Sequence, residues 1–186
     1  MTWNSRGLRG STLENLINMT NEKYRENRLA LIQKIPTPIT PLEINKSENL
    51  ITKAFFEQKS TVDYIGVVQG IPVCFDAKEN ANETFRLQNI HPHQVQFMKE
   101  FEEQGGVAFF LIYFAGKDLY YYLRFREFYP FWKRAEEGGR KSFRFEELTP
   151  RYEISPHKSG VFVHYLEMMN QDLAEREAEK ISQNED

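Results

Sequence analysis

This chain of 186 residues has one cysteine, Cys74, so no intramolecular disulfide can form, and such usage fits a reducing compartment. It has no long apolar run. The longest, Val107–Ala115, is broken only by tyrosine and is far too short to span a bilayer. Residues 1–20 hold Arg6 and Arg9 but no apolar stretch of the kind a secretory signal needs. The expectation is a cytoplasmic protein with no membrane partner. Basic charge is not in excess either: the formal net charge is −3. No repeat, low-complexity tract or linker divides the chain, so one domain with a real core is expected.

What is present is apolar and aromatic. The hydrophobic fraction of 40% and charged fraction of 27% are those of an ordinary globular protein. With 15 Phe and 9 Tyr, most aromatics must be buried or at an interface. The charge is unevenly spread. From Glu167 to Asp186 acids outnumber bases seven to two, whereas residues 1–34 hold six bases and three acids. A mildly basic body with an acidic tail is compatible with a nucleic-acid partner and does not establish one.

Residues 1–10, bearing glycine and arginine, read as a flexible arm. Ser11-Thr12-Leu13-Glu14 has the capping-box pattern, with Ser11 as N-cap and Glu14 at the third helical position. Leu29–Lys34 reads as a short strand, and Pro36, Pro38 and Pro41 then break regular structure. Ile39–Ile44 reads as extended, and Ser47–Gln58 as a helix with Leu50, Ile51, Ala54 and Phe55 on one side. Residues 79–90 read as a polar loop. Pro92–Gln104 is expected to be a helix ended by Gly105-Gly106. Val107–Phe114 and Leu119–Phe125 read as strands joined by a tight turn. Glu127–Glu137 is expected to be a helix with Pro130 in its first turn, and Tyr165–Ser182 a final helix entering an acidic, partly disordered tail from about 171.

The chemistry concentrates in Asp63 and, thirteen positions later, the run Asp76-Ala77-Lys78. Side chains alternate along a strand, so Asp76 and Lys78 share one face while Val73, Phe75 and Ala77 share the other. A hairpin turning at Gln69-Gly70 would bring Asp63 close to Asp76. Two carboxylates and an ammonium at a strand edge suit a hard divalent cation beside a phosphate, the chemistry of metal-dependent phosphodiester hydrolysis. By itself this spacing is also met by turn carboxylates and a surface ion pair.

The surrounding runs narrow the reading. Ser5-Arg6-Gly7 with Thr12-Leu13-Glu14, Lys34-Ile35-Pro36-Thr37-Pro38, Ala54-Phe55-Phe56, Ser60–Gly66, Phe75-Asp76-Ala77-Lys78-Glu79 and His91-Pro92-His93-Gln94 follow in order. Together they resemble the RecU-type Holliday junction resolvases, a branch of the PD-(D/E)xK nuclease superfamily, from about residue 5 to about 170. The resemblance implies a single α/β, restriction-endonuclease-like domain: a central mixed sheet flanked by helices, with a protruding stalk at about 36–59. It implies a homodimeric, nucleoid-associated endodeoxyribonuclease that resolves four-way junctions by paired symmetric nicks. The implied cofactor is Mg²⁺, with Mn²⁺ as a substitute. A RecA-type recombinase and the branch-migration machinery are the implied partners. Two readings compete with it: a nuclease of the same superfamily acting on another DNA structure (phage or restriction-like), and a non-catalytic partner of junctions or recombinase.

Carried onto this chain, the resemblance makes Asp63, Asp76, Lys78 and Glu14 the catalytic candidates and Thr61, Asp63, Asp76 and Gln94 the metal-site candidates. Arg6, Arg9, Lys46, Lys53, Phe55 and Phe56 become DNA-contact candidates. The chain has Asp76 where the family usually has Glu. Its stalk is neutral, with Lys46, Lys53 and Lys59 against Glu43, Glu48 and Glu57, where the family's is usually basic. Glu14 is equally explained by helix capping, and Phe55 and Phe56 by packing at the base of the excursion. His91 and His93 have no cysteine or second ligand pair nearby, so they read as a helix-start motif and not as a zinc site. Cys74 has no His–acid relay in reach by sequence, and Trp132 reads as helix packing or a dimer face.

Overall fold

The strand Ile71–Asn80 is the axis around which the protein is built. The computed structural model describes residues 12–56, 61–154 and 161–184. In chain order the elements are α1 (Leu13–Glu26), β1 (Leu31–Lys34), β2 (Ile39–Asn45), β3 (Leu50–Phe56), β4 (Tyr64–Val68) and β5 (Ile71–Asn80). They continue as β6 (Thr84–Arg86), α2 (Pro92–Glu103), β7 (Val107–Phe114), β8 (Leu119–Arg124), α3 (Phe125–Glu136), β9 (Ser142–Arg144), β10 (Glu153–Ile154) and α4 (Tyr165–Asn184).

Six strands form one mixed sheet in the order β1-β4-β5-β7-β8-β10. Only β5 and β7 run parallel, and α2 is the crossover such a pair requires. The β4–β5 hairpin turns at Gln69 and Gly70, both with positive φ, and pairs Tyr64 with Phe75. Phe75 stacks on Tyr64 and on Phe109, and Tyr165 of α4 covers them, so α1 and α4 close this face. The opposite face carries Asp76 and Phe110, which pair in register; Phe128 of α3 packs on Phe110. Both faces of β7 and of Val73–Asp76 in β5 are therefore buried, which explains the near-continuous apolar sequence of β7.

Several expectations are corrected. Residues 50–56 form a strand, not a helix. The β-branched and aromatic residues Ile51, Thr52, Phe55 and Phe56 suit an extended chain, and β3 pairs antiparallel with β2 to make the excursion a hairpin. Its turn is fixed by Asn45, whose side chain accepts from the Ser47 N–H and hydroxyl, and by Asn49 at positive φ. The α1 cap is Thr12, whose hydroxyl accepts from the Asn15 N–H, so Glu14 does not fill the third helical position. Residues 79–90 are not a loop: β5 runs to Asn80 and β6 pairs with β9, burying Phe85 against Phe143. Pro130 lies inside α3, which starts directly at the end of β8. The final helix runs to Asn184, and along it Asp172, Glu175 and Glu179 pair with Arg124, Arg126, Arg151 and Arg176.

Candidate active site at the overhang of β5

The site exists because β5 is longer than its hairpin partner. The last β4–β5 pair is Tyr64 with Phe75, so Asp76–Asn80 continue beyond β4, paired on one side only with β7. On the open side the backbone N–H of Ala77 would be left without a partner, a costly state near a core. The Asp63 carboxylate takes it: Oδ2 accepts from Ala77 N at 2.9 Å. Asp63 is itself held by its backbone carbonyl, which accepts from Ile35 N at 2.8 Å just past the β1–β4 ladder. Asp63 thus sits in the bend before β4, with Thr61 exposed at the start of that bend.

Asp76 is fully buried, and its Oδ1 accepts from Gln94 Nε2 at 3.1 Å. Its Oδ2 contacts the Lys78 ammonium in an ion pair. Burial pushes the Asp76 carboxyl up to about 7; Lys78 opposes the shift and the neighbouring Asp63 carboxylate adds to it. Gln94, in the first turn of α2, spans two jobs. Its amide nitrogen holds Asp76 while its oxygen accepts from the His91 N–H at 3.0 Å, closing the helix start. The structure therefore places Gln94 as an orienting donor to Asp76.

Asp63, Asp76, Lys78 and Gln94 are brought together. Glu14 is not in that group. Its carboxylate pairs with Lys34, whose register partner Tyr64 belongs to the α1 face, opposite to Asp76 and Lys78. The Tyr64 hydroxyl donates to Asn18 at 3.0 Å and also reaches the Glu14 carbonyl at 3.4 Å; burial raises its pKa, with Glu14 and Asp63 adding to the shift. A residue not singled out beforehand is Glu79, whose Oε1 accepts from the Leu13 N–H at 2.6 Å and ties the start of α1 to β5. Its place directly after Asp76-x-Lys78 was a legible hint.

Arg6 and Arg9 lie outside the described residues. Lys46 is exposed at the hairpin tip, and Lys53 lies 3.8 Å from Glu43 across the hairpin. Phe55 and Phe56 are 48% and 75% exposed, so they are not core residues at the base of the excursion. Cys74 is buried and its thiol is pushed up chiefly by burial, which leaves it inert. His91 and His93 stack, with ring centroids 5.4 Å apart, and among the described residues no three or more His, Cys, Asp or Glu side chains converge as a metal cluster. Two carboxylates do fit a magnesium-type cation, which commonly takes one or two carboxylates and fills its shell with water and phosphate. A buried carboxylate with one ammonium in contact, beside a second carboxylate that raises its pKa, carries the excess negative charge such a cation relieves.

A model of the family described as RecU, Recombination protein U, matches residues 8–171. The chain belongs to the RecU family. Among the family's members, the Holliday junction resolvase RecU of Bacillus subtilis is 42% identical over 144 residues, covering 75% of this chain and 69% of its own. Those of Staphylococcus carnosus and Oceanobacillus iheyensis are 37% and 38% identical, over 94% and 85% of this chain and 86% and 83% of theirs. A solved structure of Archaeoglobus fulgidus Hjc, a Holliday junction resolvase, gives a TM-score of 0.35 at 6% identity, over 62% of this chain and 76% of that one; no argument rests on so distant a likeness.

Proposed function

We propose that this protein is a Holliday junction resolvase, a divalent-cation-dependent endodeoxyribonuclease that nicks four-way junctions in symmetric pairs. Membership of the RecU family supports the substrate. The observation that carries the chemistry is the pair Asp63–Asp76 at the β5 overhang with Lys78 in contact. Asp63 and Asp76 would hold Mg²⁺, or Mn²⁺ in its place, with Thr61 at the rim and Gln94 fixing Asp76. The bound cation supplies polarisation of the scissile phosphate and a more acidic water. Lys78, anchored on Asp76 and one-fifth exposed, neutralises charge as it grows on the attacked phosphate. The new bond joins a water oxygen to phosphorus, one phosphorus–sugar oxygen bond breaks, and the departing oxygen takes a proton. Glu14, the remaining catalytic candidate, is paired with Lys34 on the opposite face and has no part in this step.

Two symmetric nicks require two sites, which a two-fold homodimer supplies. The β2–β3 hairpin, with Phe55 and Phe56 exposed, is the stalk that enters the junction, and Lys46, Lys53, Arg6 and Arg9 supply phosphate contacts. A RecA-type recombinase and branch-migration proteins are its working partners. The neutral hairpin favours one competing reading, the same chemistry on another DNA structure. The deciding experiment compares rates on a mobile four-way junction, a linear duplex and a flap. Selective cutting of the junction is expected; equal rates on all three would sink the assignment.

A further inference from the structure

At the start of α2, the helix that carries Gln94, lies a groove that the cutting chemistry does not use. It has two lobes, of about 340 and about 640 Å³, which share Pro92, Trp132 and Glu136. Each lobe falls in the range of about 300–1,000 Å³ typical of ligand pockets. The groove runs between the start of α2 and the outer side of α3. His91, Pro92 and His93 line it, and Gln94, the next residue, holds Asp76 at 3.1 Å. The groove and the site therefore share the first turn of α2, although Asp63, Asp76, Lys78 and Gln94 do not line the groove.

Its chemistry is that of a strand-binding surface. Trp132 and Tyr129 offer aromatic faces, and Trp132 is fixed from below by Phe128 and at its edge by an indole N–H donated to Glu136 at 2.9 Å. Aromatic faces of this kind stack nucleobases irrespective of sequence. The charged lining is Arg86, Lys99 and Lys141 against the single carboxylate Glu136. Lys99 lies 3.6 Å from Glu103, but neither Arg86 nor Lys141 has an ion-pair partner among the described residues. The β6–β9 pairing sets Arg86 opposite Ser142, so these two cations stand on neighbouring backbone segments. Both line the same lobe, so an anion seated there meets two cations. In a chain with a net charge of −3, this is a local reversal of sign.

We infer that this groove holds the DNA strand flanking the cut, with a base stacked on Trp132 and phosphates on Arg86 and Lys141. The inference rests on the nuclease reading and adds a binding site to it. Because the chain has two tryptophans, Trp3 and Trp132, a Trp3→Phe protein reports on Trp132 alone. With Asp76→Asn added to stop cutting, titration with a four-way junction should quench Trp132 emission at the concentration where labelled-junction anisotropy saturates. Arg86→Glu with Lys141→Glu, both exposed, should weaken junction binding about tenfold and lower the slope of log K against log salt by about 2. Junction binding with unchanged Trp132 emission and an unchanged salt slope overturns the groove and leaves the nuclease reading standing. Quenching by an oligoglutamate peptide and not by the junction makes the groove a peptide dock, which also overturns it. Absence of DNA binding by the unmutated protein removes the nuclease reading and the groove together.

Discussion

The two hairpins of this protein, β4–β5 and β2–β3, are built from similar amounts of chain and have opposite fates. The first is inside the six-stranded sheet, with Val73, Cys74, Phe75 and Asp76 all fully buried. The second pairs only with itself, and every residue of β3 is exposed, including Leu50, Ile51, Phe55 and Phe56. A buried strand can hold a carboxylate with its pKa displaced and its geometry fixed by neighbours. An isolated two-stranded hairpin is marginal on its own and gains from whatever covers its apolar side chains. On the proposed function, reaction chemistry falls to the first kind of element and recognition of a large partner to the second.

Four changes test that division, from the largest effect to the smallest. Asp76→Asn should lower the cutting rate by about a thousandfold or more while leaving junction affinity within a few-fold, read by gel cleavage and anisotropy. A parallel loss of binding would show that site and recognition are not separable. Gly66→Ala should destabilise the sheet by at least about 1–3 kcal/mol, because the added carbon would lie 2.1 Å from the Leu31 carbonyl oxygen and 2.8 Å from Ile32 Cα. A melting temperature within a degree of the parent would show that β1 can shift away. Phe56→Ala should leave stability within about 0.5 kcal/mol yet weaken junction binding by about 1–3 kcal/mol. Unchanged binding would remove the hairpin from the recognition surface. Glu79→Gln should cost about 1 kcal/mol by weakening the cap on the Leu13 N–H, with little effect on affinity.

Acidity adds a fifth test. The folded-state pKa of Asp76 is raised, to about 7, so the folded protein holds a proton that the unfolded chain releases near pH 4. Between those values the metal-free protein should lose stability as pH rises, by up to about 1.4 kcal/mol per pH unit. A divalent cation takes the place of that proton, so its apparent affinity should rise about tenfold per unit below pH 7 and level off above it. Thermal melts at pH 5 and pH 8, with and without Mg²⁺, check both signs. Equal Mg²⁺ protection at the two pH values would remove Asp76 from the metal site.

Much of the strand β5 was legible because its signals are local. An acid in the apolar run Ile71–Ala77, a lysine two positions on and a Gln-Gly turn before them follow from strand alternation and hairpin chemistry alone. The hairpin at 39–56 was half legible. Leu50, Ile51, Ala54 and Phe55 also fit a helical stripe, and only pairing with β2 decides between the two. The same limit hid Pro130, since α3 begins where β8 ends and not at an N-cap visible in the sequence. It also hid the α4 tail, whose acids look solvated until Arg124, Arg126 and Arg151 are placed against them.

The order of motifs alone determined the family and the α/β class, and it singled out Asp63, Asp76 and Lys78 as candidates. Tertiary structure decided what those residues do to one another. That β5 overhangs β4, that Asp63 therefore caps the Ala77 N–H, that Gln94 orients Asp76 from another helix, and that Glu14 pairs with Lys34 on the opposite face are all consequences of register and packing. Alternation along one strand is set by the backbone of that strand. Contacts between strands and helices depend on where each one ends, and that is settled only when they pack together.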